Sequence, residues 1–164
     1  MKQEILSEIQ IEQKTNRLAH QLIESFCEEK KLFIAGISGN GYYLAQRLSN
    51  IINEHGLIKS HIAEVKINKD EPWSDEITLD SDMNIMKNAV IILVDDVVNS
   101  GKTMQFALTK FLTFPTKAIK TVTLVDRKHR RFPIRVDFVG LSLSTTLQER
   151  VEVILGESSK AYLI

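Results

Sequence analysis

Over residues 5–31 the apolar side chains Ile5, Ile9, Leu18, Leu22, Ile23 and Phe26 recur at mostly helical spacing among Glu, Gln and Lys, which predicts one or two amphipathic helices packed across a sheet. At 32–37 the pattern becomes a continuous apolar run, Leu-Phe-Ile-Ala-Gly-Ile, as expected of a strand buried on both faces. Ser38-Gly39-Asn40-Gly41 breaks it, and Tyr43, Leu44, Leu48, Ile51 and Ile52 predict a helix over 42–52. Residues 61–67 alternate apolar and polar, which predicts a strand with one wetter face. Residues 68–88 are polar, acidic and aperiodic, and read as a long functional loop with room for a short hairpin. The strongest apolar run, 90–94, belongs at the centre of the sheet. Phe106, Ala107, Leu108, Phe111 and Leu112 predict a helix over 104–114 that stops before Pro115. Segments 122–125, 136–140 and 151–155 read as further strands. Strands alternating with helices predict an α/β architecture with an open parallel or mixed sheet.

Composition narrows the class. At 164 residues with 43% hydrophobic side chains, the chain is expected to form one domain spanning residues 1–164. With 21 Lys+Arg against 21 Asp+Glu, a globally basic nonspecific nucleic-acid binder is excluded, although a local basic patch is not. The single cysteine, Cys27, cannot form an internal disulfide and is expected to be a small buried hydrophobe. No apolar segment is long enough for a membrane helix and the N-terminus lacks a leader pattern, so a cytoplasmic location is expected.

The chemistry concentrates in Val90-Ile91-Ile92-Leu93-Val94-Asp95-Asp96-Val97-Val98-Asn99-Ser100-Gly101-Lys102-Thr103. Asp95 and Asp96 close a central strand, and a small polar loop opens a helix. In open α/β sheets ligands bind beyond the carboxyl ends of the strands, and backbone N–H groups at such a helix start suit a phosphate. Two carboxylates beside a bound anion need hydroxyls or a cation as partners, and a ribose phosphate satisfies both halves. A nucleotide-binding P-loop fails on spacing, because Asp96 or Val97 stands where its first glycine is required.

This segment resembles the ribose-phosphate signature of the type I phosphoribosyltransferases, with two acidic residues followed by a Thr/Ser-Gly-Lys/Arg-Thr loop. Residues 124–140, with Asp126-Arg127, His129-Arg130, Pro133-Ile134-Arg135 and Asp137, look like the Val-Asp-Arg-x-His-Arg-x-Leu-Pro-Ile-Arg-x-Asp-Tyr-x-Gly segment of the PyrR group, the pyrimidine-operon regulators with uracil phosphoribosyltransferase activity. Arg17-Leu18-Ala19-His20 and residues 41–48 are similar to that group as well.

The resemblance implies the type I phosphoribosyltransferase fold, a central mostly parallel sheet flanked by helices with a flexible hood loop at about 68–88. It implies transfer of phosphoribosyl from phosphoribosyl pyrophosphate to a nucleobase, uracil by preference, with Mg²⁺ as cofactor and a homo-oligomer, dimer or tetramer, as the assembly. Asp95 and Asp96 would hold the ribose hydroxyls, directly or through Mg²⁺ waters. Asn99, Ser100, Gly101, Lys102 and Thr103 would bind the 5-phosphate, and Ser38, Gly39, Asn40 and Gly41 would form the pyrophosphate loop. Val125, Asp126 and Arg127 would flank the base, chiefly through backbone groups. Lys69 and Asp70 resemble the Arg-Asp pair of the hood.

Two departures stand out. Asn99 occupies the place of the Asp that faces the base in 6-oxopurine enzymes, and an amide cannot act as a base there. Ser38-Gly39-Asn40-Gly41 carries no cation where the PyrR group has Lys-Thr-Arg-Gly, which implies slow turnover or a ligand-sensing relative. The basic stretch from Arg127 to Arg135 reads as a solvated loop or a dimer interface. The PyrR resemblance adds a second possibility, RNA or effector contact through Arg17, His20, Arg130 and Arg135.

Overall fold

The computed structural model describes residues 1–164. A short strand β1 (Gln3–Leu6) leads into helix α1 (Glu8–Ser25). Ser7 starts the helix with a reciprocal cap: its Oγ accepts from Gln10 N at 3.4 Å, and its own N–H donates to Gln10 Oε1 at 2.9 Å. There follow β2 (Lys31–Ile37), α2 (Asn40–His55), β3 (Lys59–Lys66), the two-residue β4 (Thr78–Leu79), a 3-10 turn at Met83–Met86 and β5 (Val90–Val98). The chain ends with α3 (Lys102–Phe111), β6 (Ala118–Asp126), β7 (Phe138–Ser142), β8 (Val151–Ile154) and β9 (Lys160–Leu163).

The main sheet runs β4-β3-β2-β5-β6-β7, parallel throughout except for β4, which pairs antiparallel to β3. Alternation along each strand divides the core into two layers. Leu32, Ile34, Ile92 and Val94 pack with Leu18, Leu22, Leu44 and Leu48 of α1 and α2, whereas Phe33, Ala35, Ile91 and Leu93 face Met104, Ala107 and Phe111 of α3. Strand order reverses between β2 and β5, and at such a switch point diverging connections open a crevice beyond the carboxyl ends of the strands.

Both ends of the chain form a second sheet, β1-β9-β8, entirely antiparallel. Leu6, Val153 and Ala161 attach it to the α1/α2 side of the core, and Lys2–Glu152 at 2.6 Å and Lys160–Glu4 at 3.0 Å tie its strands together.

Several expectations change in detail. Residues 5–31 hold one helix preceded by a strand, and β9 follows the strand expected to be last. That strand, β8, sits in the terminal sheet. Helix α3 starts at Lys102 and ends at Phe111, with Phe114 stacked edge-on to Phe111 outside it. Cys27 is exposed, because α1 ends at Ser25 and the turn after it carries the thiol out of helical phase. The acidic segment 68–88 contributes only the β4 pairing and the 3-10 turn.

Candidate active site

The crevice at the switch point contains a cavity of about 410 Å³, walled by Asp95, Asp96, the 99–103 loop, Lys69 and Val151. Strand β5 carries the carboxylates beyond its apolar stretch. Asp95 is 3% exposed, and its Oδ1 accepts from Asp96 N at 2.9 Å and lies 3.6 Å from Lys69 Nζ. Burial pushes the Asp95 carboxyl well above the usual carboxylate range, and the neighbouring Asp96 adds to the rise while Lys69 opposes it. Asp96 is half-buried, and Thr123 Oγ1 donates to its main-chain carbonyl at 3.0 Å.

Beyond β5 the chain turns at Gly101, whose φ of +84° lies in the left-handed region, and α3 begins without a side-chain cap. Its first N–H groups therefore face the cavity mouth, apart from Lys102 N, which donates to Ser100 Oγ at 3.2 Å. A side chain at position 101 would be strained and would also meet Ile134 Cγ2, only 2.2 Å from an added Cβ.

The loop after β2 approaches from the other side. Gly41, at the start of α2, lies so close to β5 that an added Cβ would be 2.9 Å from Val94 O and 3.0 Å from Asp95 Oδ1. Asn40 Nδ2 donates to Asp96 Oδ2 at 3.2 Å and to Val153 O of β8 at 2.8 Å. Ser38 Oγ donates to Glu64 Oε1 at 3.0 Å. The side chain at position 40 thus links the Asp96 carboxylate to the terminal sheet.

Residues 68–76 fold against the 99–103 loop. Lys102 Nζ donates to the carbonyl of Asp70 at 3.1 Å and sits 5.9 Å from the centre of the Trp73 ring. Trp73 packs at 6.2 Å on Phe106 of α3, which meets Phe132 edge-on at 6.2 Å. The Asp70 side chain is not part of the cavity wall; Asn68 Oδ1 accepts from the N–H groups of Asp70 and Glu71, both at 3.1 Å, and shapes the turn.

At the end of β6, Asp126 and Arg127 are buried. Asp126 Oδ1 accepts from Lys128 N at 2.8 Å, and its Oδ2 pairs with Arg130 at 2.9 Å. Arg127 donates to Thr145 Oγ1 at 3.0 Å, to Asn99 Oδ1 at 3.2 Å and to the carbonyls of Thr146 and Glu149. Burial lowers the Arg127 guanidinium from its ordinary value, Glu149 opposes that, and the group stays charged. A second cavity of about 360 Å³ lies here and shares Asn99 and Ser100 with the first.

Residues 2–154 match the phosphoribosyl transferase domain. The chain belongs to the phosphoribosyltransferase family. It is 35% identical to the Bifunctional protein PyrR of Staphylococcus epidermidis, over 93% of this chain and 91% of that protein. The Bifunctional protein PyrR of Brevibacillus brevis is also 35% identical, over 93% of this chain and 89% of its own length. Among solved structures, a hypoxanthine-guanine phosphoribosyltransferase from Bacillus anthracis superposes with a TM-score of 0.74 at 23% identity, covering 86% of this chain and 82% of its own. A hypoxanthine phosphoribosyltransferase from Staphylococcus aureus gives 0.74 at 19% identity, covering 91% and 80%. These likenesses establish the type I phosphoribosyltransferase fold expected from the motifs.

In this family member the crevice brings together Asp95, Asp96, the 99–103 loop, Asn40 and Lys69. Val151 also borders it and the Val153 carbonyl holds Asn40, although strand periodicity alone gives no sign that β8 folds back over the site. The basic stretch divides. Arg130 is spent internally, donating to Asp126, to Asn99 O at 3.0 Å and to Ile134 O at 3.1 Å, whereas the Arg135 side chain is 88% exposed. Arg17 donates to the carbonyls of Gly140 at 2.7 Å and Val139 at 3.3 Å on edge strand β7, and His20 meets His55 edge-on. Arg17, His20, Arg130 and Arg135 therefore form no common cluster of uncommitted cations.

Proposed function

We propose that this protein transfers the phosphoribosyl group of phosphoribosyl pyrophosphate to a nucleobase, with uracil the preferred acceptor. The observation that carries the reading is the pairing, in one cavity, of two strand-end carboxylates with an uncapped helix start behind a left-handed glycine. The N–H groups of Ser100, Gly101 and Thr103 bind the 5-phosphate, and Asp95 and Asp96 take the ribose hydroxyls. The base lies in the adjoining cavity, whose wall includes Arg127, with Val125 and Asp126 next to it at the end of β6.

In the reaction a ring nitrogen of the base forms a bond to the anomeric carbon while the bond from that carbon to the diphosphate oxygen breaks, and the nitrogen's proton is released. Positive charge grows on the ribose in the transition state, so carboxylates fixed beside it stabilise that state more than the ground state. Lys69, already drawn to Asp95, supplies cationic charge that the 38–41 loop lacks. Packing of residues 68–76 over the phosphate loop limits access of water, a competing nucleophile.

The donors suit a Mg²⁺ ion that arrives with the diphosphate. Asp95 and Asp96 stand together, and no group of three His, Cys, Asp or Glu side chains forms a resident cage. Asp95 and Asp96 would hold such an ion through water or the ribose, and it would supply positive charge against the leaving diphosphate. Steady-state turnover with phosphoribosyl pyrophosphate, Mg²⁺ and a base panel tests the proposal: product with uracil supports it, and absence of product with every base, from folded protein, refutes it.

A second reading, RNA binding governed by nucleotide, is favoured by one observation. Lys128, Arg131 and Arg135 are exposed on one loop, apart from the internal Arg127 and Arg130. It predicts RNA affinity that falls steeply with salt and on neutralising those exposed residues. Binding that is absent or insensitive to salt refutes it.

A further inference from the structure

Asn40 does not hold Asp96 unaided. Both hydrogens of its Nδ2 group are committed, one to Asp96 Oδ2 at 3.2 Å and the other to Val153 O at 2.8 Å. A planar amide held at two points keeps its direction, whereas one held by the carboxylate alone turns about a soft χ2 torsion and lets the carboxylate turn with it. The place of the Val153 carbonyl therefore enters the geometry of Asp96. Val153 lies on β8, which pairs with β9 and has no strand on its other side. Outside the terminal sheet, the hydrogen bonds that reach the β8–β9 hairpin come from two side chains of α2, Asn40 and Arg47.

Arg47 stands seven residues after Asn40, two turns along the same side of α2 and about 10 Å away. Its Nη2 donates to Gly156 O at 3.3 Å and to Ser159 Oγ at 3.1 Å, in the turn between β8 and β9. That turn is already closed on itself: Gly156 N donates to Ser159 Oγ at 3.3 Å, Ser159 Oγ donates to Gly156 O at 3.2 Å, and Ser159 is fully buried. The Tyr43 ring, one helical turn before, lies 4.9 Å from the guanidinium and fixes its plane. A rigid, planar donor set thus places the turn as well as attaching it. Arg47 itself is no part of the crevice wall.

We propose that Arg47 is a positioning residue for the transfer reaction: by pinning the β8–β9 turn to α2 it keeps Val153 O on Asn40, and Asn40 against Asp96. This rests on the phosphoribosyltransferase reading and adds to it a residue remote from the reacting atoms. The line of contacts runs from Arg47 through the turn and the Val153 carbonyl to Asn40 Nδ2 and Asp96 Oδ2. Loss of Arg47 leaves the groups that touch substrate in place, so affinity changes little. What is lost is the fixed direction of a carboxylate that faces charge growing in the transition state.

Steady-state kinetics and NMR of side-chain amide exchange test this together. Arg47→Met keeps the stem beside Tyr43 and removes the donors. It is expected to lower kcat about three- to tenfold, with KM for phosphoribosyl pyrophosphate within about twofold of the wild type. In the same variant the Asn40 Nδ2 protons are expected to exchange with solvent at least about tenfold faster. Combined with Asn40→Ala, it lowers kcat no further than Asn40→Ala alone, because both variants break one line of contacts. Arg47→Lys retains a donor and recovers most of the loss. Lys160→Met removes the ion pair to Glu4 elsewhere in the terminal sheet and leaves kcat and Asn40 exchange unchanged. The inference falls, and the family reading stands, if Arg47→Met leaves kcat or the Asn40 exchange unchanged, if its effect on kcat multiplies with that of Asn40→Ala, or if Lys160→Met matches it. If the folded wild type turns over no base, both fall. Should Arg47→Met fail to fold, Ser159→Ala, which removes one of the two acceptors of Arg47, decides in its place.

Discussion

Two loops meet at the switch point, and they are built alike: each follows a central strand, and each opens a helix behind a positive-φ glycine, Gly39 at +91° and Gly101 at +84°, with no side-chain cap. Their side chains are used differently. In the loop after β2, Ser38 and Asn40 are committed to Glu64, Asp96 and the β8 backbone. In the loop after β5, Lys102 reaches only a main-chain carbonyl of the 68–76 segment, and Asn99 keeps its donor end uncommitted. One loop braces the carboxylates and the other is left for ligand. A shared backbone design therefore does not imply a shared role; the partners that tertiary structure supplies decide it.

The sharpest way to break this comparison is at the two glycines. Gly101→Ala combines left-handed strain with collision against Ile134, whereas a Cβ at Gly39 meets nothing within 4 Å. Gly101→Ala is expected to cost more than about 3 kcal/mol and to abolish detectable phosphoribosyl pyrophosphate binding. Gly39→Ala is expected to cost about 1–3 kcal/mol from strain alone. Urea denaturation and ligand titration measure both, and equal losses at the two positions would contradict the assignment of ligand to the second loop.

The carboxylates come next. Asp95→Asn should lower kcat by about 100-fold or more, by analogy with removal of a preorganised electrostatic contact. It should also stabilise the fold. The Asp95 carboxyl is raised in the native state, so between the unfolded value near 4 and the higher folded value the native protein binds more protons, and stability falls as pH rises. The stabilisation by Asp95→Asn is therefore absent below about pH 4 and grows as pH rises from there toward the folded value. Denaturation curves for both proteins across pH check the sign.

Smaller effects separate Lys69 from Asn40. Lys69→Met removes the cation paired with Asp95 and should raise KM for phosphoribosyl pyrophosphate about tenfold, an effect that weakens at high salt. Asn40→Ala removes the bonds to Asp96 and Val153 and should cost about 1–2 kcal/mol of stability with a several-fold loss of kcat. A large rise in KM with unchanged kcat for Asn40→Ala would show that the loop after β2 contacts the diphosphate chiefly by side chain.

Much of this site was legible in the linear chain. Val90–Val94 announces a central strand by continuous apolarity, and Asp95-Asp96 followed by Ser100-Gly101-Lys102-Thr103 announces the strand end and phosphate loop, because those residues are local to one strand–loop–helix unit. The lone cysteine is exposed rather than buried because helical phase does not extend past Ser25, where the helix stops. The strands β1 and β9 leave no signal in the linear chain because they are four residues each and find their partners across almost the whole chain, Gln3 opposite Leu163. Basic charge from Arg127 to Arg135 looked like one surface, yet a composition count cannot distinguish Arg127 and Arg130, whose donors are satisfied inside, from Arg135, which faces water.

The linear chain by itself determined the strand–helix alternation, the phosphate-binding turn and the absence of a cation at position 40, since periodicity, glycine placement and residue identity are properties of neighbours. Only tertiary structure decided which residues complete the crevice. It brought Lys69 to Asp95, folded β8 onto Asn40 and set Arg127 against Asn99, across sequence separations of 113 residues for Asn40 with Val153 and 28 for Arg127 with Asn99. A hydrogen-bond donor's direction depends on where its partner lies, and that partner's position is settled by the packing of the whole sheet.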